Sequence, residues 1–425
     1  MTAVPVLGPL GPLRVHAGPL LLDSVGSDPG LDVHVARRGP LAQPTLAALI
    51  ALTEAGAVRG RGGAGFPLAR KLRAAGGGRR PVVVVNAAEG EPASAKDQAL
   101  LELAPHLVLD GAVVVARALG AREIHVVTPA DRGEVRTAVG GAVGERRERG
   151  LRWHRHEAAP RFVAGQARAV LELLAGREAL PVTAWEPEAV RGHRGRPTLL
   201  SNAETFAHVA ALCRVGKEAY AAHGTPLEPG TTLLTVGACW RDTDRPNARV
   251  VEVGHGRWFG EVLDAAEVAG PVLVGGFHGT WVPGPDLASL PVSSVALRSR
   301  GLTIGAGVVL PLGVTGCPVR RTAEVVDVLA RESAGRCGPC RNGLPALSVA
   351  VRALDEGGDT RDRIEQLVTV VTGRGACAHP DGTARLVRSL LSHLGGLVDD
   401  HLAGRCACLV VVGPSVAGGV GTGHV

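Results

Sequence analysis

The sequence predicts an α/β layered domain, then a small module of short strands, then a C-terminal four-helix bundle. Three observations predict it. Over residues 44–175 apolar, strand-like runs alternate with stretches of helical periodicity, the pattern of a layered α/β sheet. Over 231–283 the texture changes to short apolar runs closed by turns: TTLLTVG, ARVVEVG, GPVLVGG and TWVPG. Beyond 321 the chain reads as four helical stretches joined by short loops. At 425 residues and 45% hydrophobic content, two or three domains with ample cores are allowed. We place a Pro- and Gly-rich leader arm at 1–42, the α/β domain at 43–225, the strand module at 226–300, and the helical domain with its tail at 301–425.

In order, the α/β domain is predicted to hold a helix at 44–56, a glycine loop, a helix at 67–75, a strand at 81–86 and helices over 96–119. A strand at 123–128, a helix at 131–148, a strand at 151–156 and a helix at 165–175 follow. Residues 181–198 read as a Pro- and Arg-rich connection, after which Ser201 or Asn202 is expected to cap the next helix. The leader is expected to be irregular and to add at most an edge strand. Trp240, Trp258 and Trp281 are expected to pack the strand module, and 302–312 reads as a further apolar strand region. The bundle helices are expected at 321–332, 342–355, 360–372 and 383–402.

The most distinctive stretch is VRGRGGAGFPLARKLR, residues 58–73. Gly60, Gly62, Gly63 and Gly65 let the backbone approach a ligand, and the N–H groups that open the next helix favour a phosphate. Lys71 adds a positive charge. Gly60-x-Gly62-x-x-Gly65 also satisfies the dinucleotide fingerprint, but that motif needs a strand before it, and here a helix precedes it. In a chain with 59 glycines the run by itself reads equally well as a flexible loop. Lysine usage tips the balance: only three of the 46 Lys and Arg residues are lysines, and Lys71 and Lys96 both fall in this region. The segment VNAAEGEPASAKD follows the carboxyl end of a strand, where open α/β sheets place ligands. Asn86 is suited to hydrogen-bond a flavin or ribose edge, and Glu89 and Glu91 to orient a ribose or nicotinamide.

No signal-peptide pattern and no 18-residue apolar run occurs, so a cytoplasmic protein without direct membrane insertion is expected. The eight cysteines then read as thiols or metal ligands rather than disulfides. Cys337 and Cys340 follow the first bundle helix and Cys377 the third, which puts all three at one end of an up-and-down bundle. Cys317, Cys406 and Cys408 belong at the other end, roughly 30 Å away along a ~20-residue helix. His379 is the best-placed fourth ligand. An iron–sulfur cluster, a three-iron cluster and a Cys3His zinc site share this signature. The formal charge of +6 is spread over scattered residues without an aromatic-interleaved basic patch, which argues against nucleic acid.

Four blocks, GRGGAGFPLARK, NAAEGEP with KD close behind, RPTLLSNAETFA and ESAGRCGPCRNG, resemble the NADH-binding, FMN-containing iron–sulfur subunit (F-type) of NADH:quinone oxidoreductase and its soluble dehydrogenase relatives. They occur in that family's order, from about 44 to 377. The resemblance implies an electron-input flavoprotein that oxidises NAD(P)H through FMN and feeds single electrons through a [4Fe–4S] cluster to a protein acceptor, such as a ferredoxin or another dehydrogenase subunit. It implies that Gly60, Arg61, Gly62, Gly63, Gly65 and Lys71 hold phosphates, that Phe66 stacks near the nicotinamide, and that Asn86, Glu89, Glu91 and Asn202 contact the flavin or nucleotide. No side chain acts as acid or base in hydride transfer. It also implies that the strand module is a β-grasp and that Cys337, Cys340 and Cys377 hold the metal, to which the position of His379 on the same loop adds a fourth candidate ligand.

Several positions depart from the family pattern. Ala334 replaces the first cysteine of its C-x2-C-x2-C run, Ala88 replaces an aspartate, and Gln166 and Ala167 replace two carboxylates beside the nicotinamide. Loss of those carboxylates weakens the preference for NADH, and Arg168 is expected to favour NADPH. The alternative reading is a non-catalytic relative, a scaffold or binding subunit with a structural zinc on the three cysteines.

Overall fold

A computed structural model describes the chain at residues 3–8, 11–237 and 248–406. It opens with strands β1 (Ala3–Gly8) and β2 (Gly11–His16) and helix α1 (Leu31–Arg38). Helices α2 (Leu46–Ala55) and α3 (Leu68–Gly76) flank the glycine loop. Then follow β3 (Val82–Asn86), α4 (Lys96–Leu103), α5 (Pro105–Leu119), β4 (Glu123–Pro129), α6 (Gly133–Glu145), β5 (Arg152–Ala158), α7 (Ala167–Leu174), β6 (Thr198–Asn202) and α8 (Ala203–Ala221).

Strands β5, β4, β3 and β6 form a parallel sheet in that order. The run of four valines in β3 is buried throughout, as expected of a central strand covered on both faces. The edge strand β6 reads in the sequence as the end of a connection. Its TLLSN runs straight into α8, so no turn marks its end, and it becomes a strand by pairing with β3.

Next come β7 (Thr231–Val236), β8 (Arg249–Gly254), α9 (Phe259–Val262), β9 (Pro271–Val274), β10 (Thr280–Pro283), α10 (Gly284–Ala288), α11 (Ser294–Ser299) and β11 (Val308–Pro311). The second sheet has seven strands in the order β1-β2-β8-β7-β11-β9-β10, so it reaches past residue 300 to take in β11. The leader adds two strands and a helix to the structure, rather than an irregular arm. The buried Glu252 carboxylate explains its order, because it accepts the N–H groups of Leu20, Leu21 and Leu22 together with the Thr231 hydroxyl. Helix α1 is fixed by a 2.7 Å hydrogen bond from His34 to Asp110 of α5.

The helical end comprises α12 (Pro318–Arg331), α13 (Leu344–Asp355), α14 (Arg361–Val371), α15 (His379–His393) and α16 (Gly395–Leu402). Each of α12 to α15 packs on the next, and α15 returns to α12. The helix expected at 383–402 is two helices that part at Leu394, where Gly395 and Gly396 weaken helical continuity. Trp281 is fully buried and locks this region to the second sheet. Its indole N–H donates to Thr322 at 2.9 Å, and its backbone N–H donates to Ser389. Trp258 is 50% exposed and does not fill a core, and Trp240 lies outside the described residues. Among the described residues no single helix is long and apolar enough to cross a membrane.

Helices α5 and α8 cross so closely that a Cβ on Gly111 would lie 1.8 Å from the Phe206 carbonyl oxygen. Alanine in a helix normally gains about 1 kcal/mol over glycine, but here overpacking wins. Gly111→Ala is expected to destabilise the chain by about 1–3 kcal/mol, measured by urea unfolding; a stabilised variant would refute the close crossing.

Candidate functional site

The carboxyl ends of β3 and β6, the glycine loop, turns of the second sheet and the start of α15 enclose a cleft of about 490 Å³. That volume is typical of a small-molecule or cofactor site. The cleft walls bring together Gly60, Arg61, Gly62, Gly63, Gly65 and Phe66 from the loop with Lys71 from α3. Asn86, Glu89, Glu91 and Asn202 lie across from them on the same cleft.

The loop is held by its own ends. Gly60 N–H donates to the Phe66 carbonyl at 2.8 Å, Leu68 N–H donates to Val58, and Arg59 bridges to Pro67. Gly63 (φ 110°) and Gly65 (φ 61°) take left-handed conformations, and a Cβ on Gly65 would meet only open space. Glycine is therefore needed at these two positions for backbone shape. Phe66 stays 42% exposed, with the Arg70 guanidinium 5.3 Å from its ring centroid.

The polar residues show which groups are already engaged. Lys71 Nζ donates to Glu188 at 3.1 Å and to the Leu200 carbonyl at 2.9 Å, so it lines the cleft with its charge balanced. Arg61 points inward, to the Thr231 carbonyl and His255 Nε2, both at 3.0 Å. Glu89 accepts N–H groups of Asp97 and Gln98 at the start of α4, the Ser94 hydroxyl and Arg132. Its carboxylate therefore anchors the start of α4 while lining the cleft. Asn86 donates to the Gly165 carbonyl at 2.7 Å. Asn202 caps α8 through Thr205 N–H and donates its amide to Asp97. Glu91 accepts Phe277 N–H at 3.0 Å, and burial pushes its carboxyl up to about 7.

Beneath the loop sits a network absent from the expected site residues. Lys96 Nζ lies 2.8 Å from both Asp97 and Glu204. Burial disfavours its charge, but the two carboxylates outweigh that and hold the ammonium protonated. The sequence signal was present in a retained lysine next to an aspartate. Phe162 also escapes a reading of the sequence: it lines the cleft and its ring meets Phe277, His278 and His379. Arg168 turns away, donating to the Glu186 and Arg191 carbonyls, and the expected preference for NADPH loses its physical support.

Cys337, Cys340 and Cys377 converge at one end of the helical region, with Cys340 on a π-helical turn spanning Pro339–Gly343. Burial raises the Cys337 thiol, but the backbone N–H groups of Ala376 and Cys340 outweigh it and favour the thiolate. Burial pushes Cys340 up to about 12. The Gln166 side chain stands beside Cys377, and Ala378, the next residue, lines the cleft. His379 has other partners in this structure. Its Nε2 donates to the Leu329 carbonyl at 2.8 Å and its Nδ1 faces His278 at 3.2 Å, so both ring nitrogens are engaged elsewhere. Cys317 and Cys406 lie at the opposite end, while Cys239 and Cys408 are outside the described residues.

A glycine-walled α/β cleft beside a three-cysteine helical end defines a flavin- and iron–sulfur-binding class of protein. Residues 53–211 match the Nuo51 FMN-binding domain, and residues 320–401 match the NADH-ubiquinone oxidoreductase-F iron-sulfur binding region. The chain is a divergent member of this family of NADH-binding FMN and iron–sulfur subunits. It is 29% identical to the second F-type NADH-quinone oxidoreductase subunit of Rhizobium meliloti (strain 1021), over 87% of this chain and 92% of that protein. It is 27% identical to the F-type NADH-quinone oxidoreductase subunit of Streptomyces coelicolor, over 84% and 83%. A chain of the NAD+-reducing [NiFe]-hydrogenase in its H2-reduced state superposes with a TM-score of 0.79 at 25% identity, covering 91% of this chain and 68% of that one.

Replacing Lys96 with methionine leaves Asp97 and Glu204 buried without their cation. The expected cost is about 3–5 kcal/mol in urea unfolding, partly recovered by adding Glu204→Gln; a loss under about 1 kcal/mol would show that the triad is not coupled. For Glu91 the sign is opposite to that of an exposed carboxylate. Its folded pKa is raised from 4.5 to about 7, so the folded state binds more protons and stability falls as pH rises through that window. The difference in stability between Glu91→Gln and wild type should grow in the variant's favour from pH 4.5 to 7; a pH-independent difference would contradict the raised pKa.

Proposed function

We infer that this chain oxidises NADH at bound FMN and delivers the electrons singly, through an iron–sulfur cluster, to a partner subunit. One observation carries the reading: the cleft walled by the glycine loop is also walled by Ala378, the residue after Cys377. A two-electron site and a one-electron site thus share a boundary. FMN, when bound, accepts a hydride and releases electrons one at a time, the conversion that a one-electron cluster requires.

The chain's own residues fit that group. Gly63 and Gly65 open the backbone where a phosphate would lie, Asn86 and Asn202 border the flavin edge, and the exposed Phe66 face is available to stack on a nicotinamide. Phe162 and His278 line the far wall and exclude water. Cys337, Cys340 and Cys377 supply three thiolates, and Ala334 leaves one cluster corner without a protein sulfur. We read the second sheet as a β-grasp-like module and the helices as a four-helix bundle that presents the cluster to the acceptor, either another dehydrogenase subunit or a ferredoxin. A cytoplasmic location accords with this role.

Protein purified without oxygen is expected to show flavin bands over a broad iron–sulfur absorption, both bleached by NADH. Cys377→Ser should lose most of its iron while its flavin remains reducible by NADH. A colourless wild-type protein with zinc on the three cysteines would establish the scaffold instead.

A further inference from the structure

We propose that Cys317, His401 and Cys406 form a second metal site, built for one zinc ion, at the end of the helical domain away from the three-cysteine cluster. Their ligand atoms all lie within 4.8 Å of one another. Cys317 Sγ and His401 Nδ1 are 3.4 Å apart. In a tetrahedral zinc site with Zn–S of about 2.3 Å and Zn–N of about 2.0 Å, the S···N edge is about 3.5 Å. The observed pair therefore has the spacing of two ligands around one ion.

The surroundings set each donor atom correctly. His401 Nε2 donates to the Asp355 backbone carbonyl at 2.9 Å, which places the proton there and turns the Nδ1 lone pair toward the sulfurs. Cys317 caps α12, and its sulfur accepts Arg320 N–H at 3.4 Å. A helix N-terminus also stabilises the negative charge that a zinc-bound sulfur would carry at that position. Cys317 and His401 are buried, and Cys406 packs partly buried against the same apolar core. A soft set of two thiolates and one imidazole selects zinc over magnesium or calcium. Zinc has no redox chemistry, so the site stands outside the electron route; α12, 14 residues or about 21 Å long, separates it from the loop that carries Cys337. Its ligands come from the start of α12, the end of α16 and the segment just after it. One ion thereby fastens the end of the described helical domain to its beginning.

The test is metal analysis of anaerobically purified full-length chain, by mass spectrometry for zinc and iron and by zinc-edge X-ray absorption. The expected result is about one zinc per chain with sulfur and nitrogen neighbours near 2.3 and 2.0 Å. Cys317→Ser and His401→Ala should each lose that zinc and keep flavin and iron, whereas Cys377→Ser should lose iron and keep zinc. If the variants do not fold, cobalt-substituted wild type supplies the second readout: thiolate-to-cobalt charge-transfer bands with the intense visible bands of a tetrahedral ion. Absence of zinc from wild type, zinc that follows Cys377 rather than Cys317, or a Cys317–Cys406 disulfide found by mass spectrometry would overturn the site.

Discussion

The structure depends on one buried cation. Lys96 holds Asp97 and Glu204 in reach of a single ammonium, and each partner continues the connection: Asp97 to Asn202 at the tip of β6, and Glu204 to Leu233 N–H in β7. The parallel sheet, the glycine loop and the second sheet are thus joined through charge-assisted hydrogen bonds in a site of low dielectric. Such a network is favourable only when every member is satisfied, because a buried carboxylate without its partner carries a large desolvation penalty. This constraint explains a lysine at 96 in a chain that uses arginine at 43 of its 46 Lys and Arg positions. A compact ammonium fits between two carboxylates, while the larger planar guanidinium of Arg61 takes the edge of the same network, 3.9 Å from Glu204.

Elements with strong local signals were legible in the sequence. The four valines of β3, the alternation through β5 and the helices from α2 to α7 all fall where periodicity places them, because burial on both faces or on one stripe writes itself into residue type. Elements defined by their partners were not. Strand β6 is short and merges into α8, while the leader strand β2 pairs with β8 and the segment after it is held by a carboxylate more than 200 residues away, at Glu252. The glycine loop and its neighbours were readable as cleft residues, since glycine at a required positive φ and an aromatic in a loop are local facts. The fate of Glu89 and His379 was not, because a hydrogen-bond partner such as the first amides of α4 or the Leu329 carbonyl is a property of the folded chain.

The helical domain keeps two kinds of cysteine site apart by simple length. The loops after α12 and α14 bring Cys337, Cys340 and Cys377 together, and the second of them lines the cleft, while the start of α12 and the end of α16 meet at the other extremity. Trp281 fixes the orientation between them: it buries its ring against α12 and α15, and its carbonyl accepts from His393 at 2.7 Å. Rotation of the helices relative to the second sheet would break three hydrogen bonds and expose the largest buried side chain. The distance between cleft and cysteines is therefore a rigid property of the fold.

The departures from the family pattern acquire physical meanings once their surroundings are seen. Ala88 is 5% exposed and packs with Val82 and Val84, so an aspartate there would need partners that this apolar cluster lacks. Gln166, in place of a carboxylate, stands beside Cys377. A neutral amide there brings no charge to the buried Cys377 sulfur, where a glutamate would add an uncompensated one. Arg168 is drawn to backbone carbonyls outside the cleft and leaves the nucleotide wall without added positive charge. The replacements have thus exchanged charge for hydrogen bonding and packing near the nucleotide, while the glycine backbone, the exposed Phe66 and the three thiols retain the form that electron transfer requires.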